Sequence, residues 1–341
     1  MPVSLDWKRI ALFLGLAFGL AWLTALVLAL NGQLADSPVL VPGTTMTLAL
    51  VLLAGPYMWA PTLAHLLTRL ITREGWREVG LRPLTRGWPY WLAAWVLPAV
   101  LTILGLVVYF LVAPGRYDPE LGVLRDLLAK AGQPGVNPWF VAAVQTLQGV
   151  LIAPLINGLF TFGEEFGWRA YLQPKLLALG PRRAMLVMGV IWGVWHWPVI
   201  AMGHNYGLSY AGYPWLGMLA MVWFTLVTGV FLGWVTVRSG SVWAAVIGHA
   251  ALNGIAGLGA LFVRGELEPL LGPLPTGLIG SAGWAVLALA LLVWPGAWRP
   301  AGAAAPSLVP TPPAPAPVTG RAPQPAPAER LERLDDSRYT E

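Results

Sequence analysis

The sequence predicts an all-α membrane protein, a polytopic bundle of about eight transmembrane helices followed by a disordered C-terminal tail. Of its 341 residues, 57% are hydrophobic and only 11% are charged, whereas soluble domains carry about 25% charged residues. The apolar residues also fall into long runs, and about 20 such residues span a bilayer as a helix. A water-soluble globule of this size would leave too much apolar surface in water.

Eight segments are long and apolar enough to be predicted as spans. The first is too long for the core of a signal peptide, and no small-residue cleavage site follows it, so we interpret it as a span as well. Together the spans predict a transmembrane domain over residues 1–298. The predicted spans are 10–30, 46–68, 89–112, 139–162, 184–202, 214–237, 242–263 and 277–298.

Residues 299–341 are predicted to form a disordered cytoplasmic tail. Within this segment, residues 300–328 are mostly Ala and Pro. A stretch of that composition cannot bury enough apolar surface to fold.

The distribution of Lys and Arg predicts the orientation of the chain. Seventeen of the 21 lie before the first span, in 69–88, in 163–183, at Arg238 or after the last span, and four lie in the alternate connections. Because cytoplasmic connections carry the excess of positive charge, we expect both termini to lie in the cytoplasm. The membrane is expected to be a cell membrane, namely the inner membrane of a bacterium. The net charge of +5 is thereby explained by topology and predicts no nucleic-acid partner. The chain has no Cys, which excludes disulfides and thiolate chemistry.

Ionisable residues at membrane depth are costly and usually functional, and here they concentrate in three motifs. The first runs from Gly163 to Arg169 and places two adjacent carboxylates in an apolar run. Glu165 and Arg169 are four residues apart and can pair on one helix face, which leaves Glu164 to face elsewhere. Taken alone, the motif fits equally a helix end at the cytoplasmic headgroups.

The second and third motifs each place a His inside an apolar span. His196 follows Trp192 by one helical turn, and Pro198 is expected to free a backbone carbonyl and bend the helix. His249 and Asn253 are four residues apart, so both face the same way. Each motif alone fits a structural hydrogen bond between helices equally well.

The predicted spans place all three motifs in the cytoplasmic half of the bundle. At 1.5 Å per residue, Glu164 is expected near the cytoplasmic edge, His249 about 12 Å from it and His196 about 20 Å from it. We therefore predict that Glu164, His196, His249 and Asn253 line one water-filled cavity open to the cytoplasm. The remaining histidines, His65 and His204, are interpreted as structural.

Two chemistries suit these residue types. A carboxylate and an imidazole together activate water, while a second His and an amide stabilise an oxyanion. Alternatively, the Glu and the two His hold a divalent metal such as zinc with one open position. The residues themselves leave the metal question open.

The three motifs together resemble the signature of the CPBP family of intramembrane proteases. That family includes the type II CAAX prenyl endopeptidases and bacterial proteins described as abortive-infection or bacteriocin-immunity proteins. The motifs occur in the family's order within residues 139–263. They are Glu164-Glu165-x-x-x-Arg169, Trp192-x-x-x-His196 and His249-x-x-x-Asn253.

This resemblance implies roles for individual residues. It implies Glu164 and His196 as the water-activating pair and His249 and Asn253 as oxyanion stabilisers. It also implies that Glu165 and Arg169 shape the site, and it favours a mechanism without metal. The second motif commonly begins with Phe in the family, where this chain has Trp192, and we expect Trp192 to keep the packing role of that aromatic residue. The residues expected to support the catalytic ones are therefore Glu165, Arg169 and Trp192.

The predicted function is that of an intramembrane endopeptidase acting on a membrane protein or peptide in the lipid bilayer. One alternative is a non-catalytic membrane scaffold or immunity-type binding protein, which would keep the bundle without the chemistry. A transporter is disfavoured, because its polar clusters are expected in two related halves, whereas here they lie only in the C-terminal half.

Overall fold

A computed structural model describes residues 5–76, 79–83 and 87–299 of the chain, and these residues form helices and connections without a β-strand. The predicted tail falls beyond them from residue 300 onwards. Its disorder, and the division of the chain at residue 298, therefore stay predictions.

The described residues form eleven helices. The second contains a π-helical turn at Leu53–Tyr57, which includes Pro56, and the sixth contains another at Trp168–Leu172. In chain order the helices are α1 (Trp7–Leu30), α2 (Leu48–Thr72), α3 (Trp88–Val112), α4 (Gly122–Lys130), α5 (Pro138–Leu151), α6 (Ala153–Leu179), α7 (Pro181–Trp195), α8 (Trp197–Ala201), α9 (Trp215–Ser239), α10 (Val242–Phe262) and α11 (Ala282–Val293).

Five of these helices, α1, α2, α3, α9 and α10, are each long and apolar enough to cross a membrane. Helices α5 and α6 form a sixth candidate span that is bent by 48°. The predicted all-α, multi-pass class is thereby confirmed. The predicted segments 184–202 and 277–298 form shorter helices, α7 with 15 residues and α11 with 12, so a total of eight spans stays a prediction.

Among the described residues, one end of the bundle carries most of the positive charge, and we call it the arginine-rich end (residues 5–9, 69–76, 79–83, 171–183, 234–241 and 293–299). Hydrogen bonds join its connections. Arg9 Nε donates to Thr72 Oγ1 at 3.2 Å, and Ser241 Oγ donates to the Arg82 carbonyl at 2.7 Å. The connections that the sequence assigns to one side of the membrane therefore do meet at one end.

The other end, which we call the loop end (residues 113–137, 202–214 and 256–281), is joined in the same way. The Tyr206 hydroxyl donates to the Thr276 carbonyl at 2.9 Å. The backbone N–H of Asp118 donates to the Phe262 carbonyl, also at 2.9 Å. The chain thus has two distinct ends between which the long helices run.

Helix α6 does not end where the sequence predicts. The predicted span 139–162 would stop just before the two carboxylates, whereas α6 continues through them to Leu179. The expectation that Glu164 lies at the end of a span is therefore wrong. The chain bends between α5 and α6 at Ile152, next to Pro154, which cannot donate a backbone hydrogen bond.

Two glycines hold α6 tightly against α2. A Cβ on Gly163 would lie 2.8 Å from the Met58 carbonyl oxygen, and a Cβ on Gly167 would lie 2.4 Å from atoms of Pro61. Small residues four apart let two membrane helices approach closely. The carboxylates between these glycines are therefore held against a fixed neighbouring helix.

Candidate active site

A cavity of about 340 Å³ lies between α2, α6, α7, α9 and α10. It collects side chains from all three motifs of the sequence, although these motifs are up to 89 residues apart in the chain. The motif residues that line it are Glu164, Trp192, His196, His249 and Asn253. Glu165 and Arg169 lie behind this wall and do not line it.

Glu164 is almost completely buried, with 3% of its surface exposed. Its Oε2 accepts a hydrogen bond of 2.8 Å from the indole Nε1 of Trp192. Its other oxygen has no hydrogen-bond partner among the described residues. One carboxylate oxygen is therefore held in place, and the other is available to a molecule in the cavity.

Trp192 does more than pack. Its ring lies under the guanidinium of Arg169, whose Cζ is 4.7 Å from the ring centroid, and it meets the ring of His249 edge-on with centroids 5.3 Å apart. Phe at this position would keep the packing, but it has no N–H to donate to Glu164. The expected packing role is thus joined by a polar one that requires Trp.

Glu165, Arg169 and His249 form what we call the enclosed cluster. Glu165 Oε1 accepts hydrogen bonds from His249 Nδ1 at 2.9 Å and from Arg169 Nη1 at 3.2 Å. The same Nη1 lies 3.0 Å from Oε2 as an ion pair without hydrogen-bond geometry. The side chains of Glu165 and Arg169 are fully buried. Because a buried charge is tolerated when it is paired, the cluster explains how α6 carries these residues through the interior.

His196 lies at the break between α7 and α8. The N–H of Val199 would reach the Trp195 carbonyl in a continuous helix, but it bonds to the His196 carbonyl instead. The Trp195 carbonyl accepts hydrogen bonds from the Tyr57 hydroxyl at 2.8 Å and from the Trp22 indole at 3.1 Å. The expected freed carbonyl next to Pro198 is therefore confirmed, and it anchors α7 to α1 and α2.

The hydrogen bonds of the two cavity histidines define their ring hydrogens. His196 Nδ1 lies 2.8 Å from the Trp192 carbonyl, which can only accept, so Nδ1 carries the hydrogen and Nε2 of the neutral ring is an acceptor. His249 Nδ1 donates to Glu165. To donate from Nε2 as well, the ring of His249 must carry both hydrogens.

Asn253 lies one helical turn beyond His249 and is exposed in the cavity. Its side chain forms no hydrogen bond within the described residues. Both hydrogens of its amide are therefore available to a bound molecule.

Sequence reasoning missed some residues of the cavity. His204, interpreted as structural, lines the cavity together with Asn205 and with Tyr57 of α2. Burial lowers the pKa of the His204 imidazole below its ordinary value. Nothing in its sequence context signals this position, since it lies in a connection between helices.

His65 has surroundings that fit the structural interpretation. It is fully buried, and its Nδ1 donates to the Phe166 carbonyl at 2.8 Å. Its Nε2 accepts a hydrogen bond of 2.7 Å from Arg69 Nε. His65 therefore ties α2 to α6 directly after the two carboxylates.

The cavity lies towards the loop end. His204, Asn205, Ala256 and Thr276 of that end line it, and no described residue of the arginine-rich end does so. This lining gives no support to the expectation that the cavity opens at the end with the arginine-rich connections. The depth estimate failed because it placed Glu164 at the end of a helix that in fact continues for fifteen residues to Leu179.

The donor set does not fit a metal site. Within the described parts of the chain, no three His, Asp or Glu side chains come together closely enough to hold a metal ion. One oxygen of Glu164 and Nδ1 of His249 are also engaged by protein groups. The zinc alternative is not supported by this arrangement, and no step below depends on it.

Residues 138–255 match the family model described as type II CAAX prenyl endopeptidase Rce1-like. The match begins at α5, covers all three motifs and ends within α10, and it confirms the resemblance found in the sequence. No curated protein matches the chain. The family match supports an intramembrane protease function of the CAAX type in general, with membrane-embedded protein substrates and a lipid environment.

Proposed function

We propose that this chain, with its type II CAAX prenyl endopeptidase region, hydrolyses a peptide bond of a membrane-associated protein or peptide. The enzyme lies in a bacterial cell membrane with both termini in the cytoplasm. The observation that carries the proposal is the cavity itself, which gathers Glu164, His196, His249 and Asn253 while one Glu164 oxygen keeps no protein partner.

Glu164 is the general base in this proposal. Its free oxygen takes a proton from a water molecule, whose oxygen attacks the carbonyl carbon of the scissile bond. The Trp192 N–H holds the other oxygen and so orients the carboxylate. His196 presents Nε2 as an acceptor and can hold the same water or accept a proton during the reaction. The proton then passes to the amine that leaves when the C–N bond breaks.

Asn253 and His249 stabilise the negative charge that develops on the carbonyl oxygen. The amide of Asn253 is a free donor, and His249 donates from Nε2 when both ring nitrogens carry hydrogen. Donors directed at a developing oxyanion contribute roughly 10²–10³-fold to the rate. Glu165 and Arg169 are positioning residues, because they act on the reaction only through His249 and Trp192.

A comparison of the wild type with Glu164→Ala both identifies substrates and tests the proposal. Membrane proteins that are shortened in cells with the wild-type chain, but intact in cells with Glu164→Ala, define candidate substrates. With such a substrate and purified protein in lipid nanodiscs, Glu164→Ala should lower the cleavage rate by about 10²–10⁴-fold and leave thermal unfolding unchanged.

Glu266→Ala is the matched control, since it removes a carboxylate that is exposed at the loop end and should leave cleavage intact. If Glu164→Ala cleaves at the wild-type rate, the proposal fails and the non-catalytic scaffold is favoured. A strong chelator should leave the wild-type rate unchanged. Loss of activity with a chelator and its return with added Zn²⁺ would favour the metal alternative.

A further inference from the structure

The enclosed cluster separates two cavities that lie towards opposite ends of the bundle. His249 lines the active-site cavity, and Arg169 lines a second cavity of about 500 Å³ at the arginine-rich end, together with Gln173 and Ser241. Between them stands Glu165, which is 2.9 Å from His249 and 3.0 Å from Arg169. A polypeptide that entered from the arginine-rich end would have to displace this buried ion pair to reach Glu164.

No comparable barrier is seen from the loop end. The residues of that end that line the active-site cavity are small or neutral, such as Ala256, Thr276 and Asn205. Asn205 is exposed to solvent, and Asn253 is exposed within the same cavity. The described structure therefore offers a route to Glu164 from the loop end.

The charge distribution assigns the two ends to the two sides of the membrane. The loop end carries four of the 21 Lys and Arg residues of the chain, and three of these lie in 113–137. The other 17 lie before the first predicted span, in 69–88, in 163–183, at Arg238 or after the last predicted span. Because the excess of positive charge stays in the cytoplasm, the loop end faces away from it.

We infer that the active site is reached from the extracytoplasmic side of the membrane, and that its substrate is a short, apolar, uncharged polypeptide segment that emerges from the bilayer at that face. The substrate class rests on the proposed endopeptidase function, whereas the direction of access does not.

The size and lining of the cavity suit such a segment. A volume of about 340 Å³ lies at the lower end of the roughly 300–1,000 Å³ of ligand pockets, which accommodates a few residues but no folded domain. Tyr57, Trp195, Met221 and Phe224 supply apolar and aromatic surface. Among the described lining residues none is Lys or Arg, so no cation there would attract an acidic segment.

The absence of Cys from the sequence makes the direction of access directly measurable. Ala256→Cys puts a single thiol on the active-site cavity at the loop end, and Ala178→Cys makes the same change at the arginine-rich end. Spheroplasts of a bacterium that expresses each variant are treated with a charged maleimide that cannot cross the membrane. Ala256→Cys should be labelled at least ten times faster than Ala178→Cys, and this difference should vanish after permeabilisation.

Three results would overturn the inference: faster labelling of Ala178→Cys, equal labelling of both variants, or labelling of neither before permeabilisation. Ser209→Cys, exposed in the same connection as His204, replaces Ala256→Cys if that variant does not fold. The labelling needs no catalysis, so its pattern should be identical in chains that also carry Glu164→Ala. Failure of the endopeptidase proposal is thereby distinguished from failure of the access proposal.

The substrate class is tested in the same variants. Complete labelling of Ala256→Cys from outside should lower its cleavage of a membrane substrate at least tenfold relative to the same variant before labelling. Labelling of Ala178→Cys after permeabilisation should not change cleavage. Unchanged cleavage by fully labelled Ala256→Cys would show that the substrate enters by another route.

Discussion

The enclosed cluster and a second group of charges at the arginine-rich end use similar residue types in opposite surroundings. This second group, which we call the interfacial cluster, consists of Arg9, Glu74, Tyr171 and Lys175. Glu74 accepts hydrogen bonds from Lys175 at 2.7 Å and from Tyr171 at 3.0 Å. Its side chain is 19% exposed and that of Arg9 is 35% exposed, whereas Glu165 is fully buried.

The comparison shows that a pair of opposite charges in the sequence does not by itself indicate a position at the membrane surface, since such a pair is also found fully buried. The Lys175–Glu74 pair, whose side chains are 14% and 19% exposed, is still reached by water, so losing the partner costs less than in a fully buried pair. A buried pair has only its partner, and losing it leaves an uncompensated charge. The two clusters should therefore respond very differently to the same kind of substitution.

The largest effect is expected from breaking the enclosed cluster. Arg169→Met leaves the Glu165 carboxylate buried with His249 as its one remaining partner, which should cost about 3–5 kcal/mol of stability. Lys175→Met, the matched change in the interfacial cluster, should cost about 1 kcal/mol or less. Denaturant unfolding in mild detergent measures both. Adding Glu165→Gln to Arg169→Met should recover part of the loss, and equal losses in the two clusters would contradict the comparison.

A smaller effect is expected where the enclosed cluster meets the cavity. Trp192→Phe keeps the aromatic ring but removes the donor to Glu164 Oε2. Since a hydrogen bond to a charged group contributes about 1.5–3 kcal/mol, kcat should fall by roughly 10–100-fold. KM should change little, because Trp192 acts by orienting Glu164.

Trp197→Phe is the control for this prediction. It makes the same substitution at an indole whose Nε1 has no hydrogen-bond partner among the described residues, and its kcat should stay near the wild-type value. A Trp192→Phe variant with full kcat would show that the hydrogen bond to Glu164 plays no part in the reaction.

The smallest effect is expected in the interfacial cluster and depends on pH. Burial alone would raise the pKa of Glu74, but hydrogen bonds from Lys175 and Tyr171 and the positive charges of Lys175 and Arg69 outweigh it and lower the pKa overall. A lowered pKa in the folded state stabilises the protein above the unfolded pKa, and this contribution is lost as the pH falls.

The corresponding measurement compares Glu74→Gln with the wild type. The variant should unfold at a slightly lower temperature at pH 7, and the difference should shrink as the pH falls below about 4.3, the ordinary pKa of Glu. A difference that grows towards low pH would show that Glu74 does not stabilise the folded state as a carboxylate.

Much of the fold could be predicted from the sequence because hydrophobicity along the chain is a local property. The runs that became α1, α3 and α9 were recognised within a few residues of their ends. The end of α6 could not be predicted, because two adjacent carboxylates such as Glu164 and Glu165 indicate the end of a span unless their buried partners are known. The break after Trp195 was anticipated, since Pro198 acts on its own helix.

The candidate site was predictable in part because the spacing of residues within one helix is also a local property of the chain. The spacings within each motif placed Glu165 with Arg169 and aligned His249 with Asn253, and the order of the motifs carried the family resemblance. The hydrogen bond from Trp192 to Glu164 and the position of His204 in the cavity wall could not be inferred. Both depend on contacts between helices that are far apart in sequence.

The sequence by itself determined that this is a multi-pass helical membrane protein and which residues carry its polar motifs, because both follow from residue type and from spacing along one helix. Only the tertiary structure decided that Trp192 holds one oxygen of Glu164, and at which end of the bundle the cavity lies. The reason is that a charged side chain is costly inside a membrane only when it lacks partners, and one partner of Glu165, His249 of α10, is 84 residues away in the sequence. Burying the charge of Glu165 or of Arg169 alone would cost free energy. Paired with each other and with His249, they are stable behind the wall of the cavity.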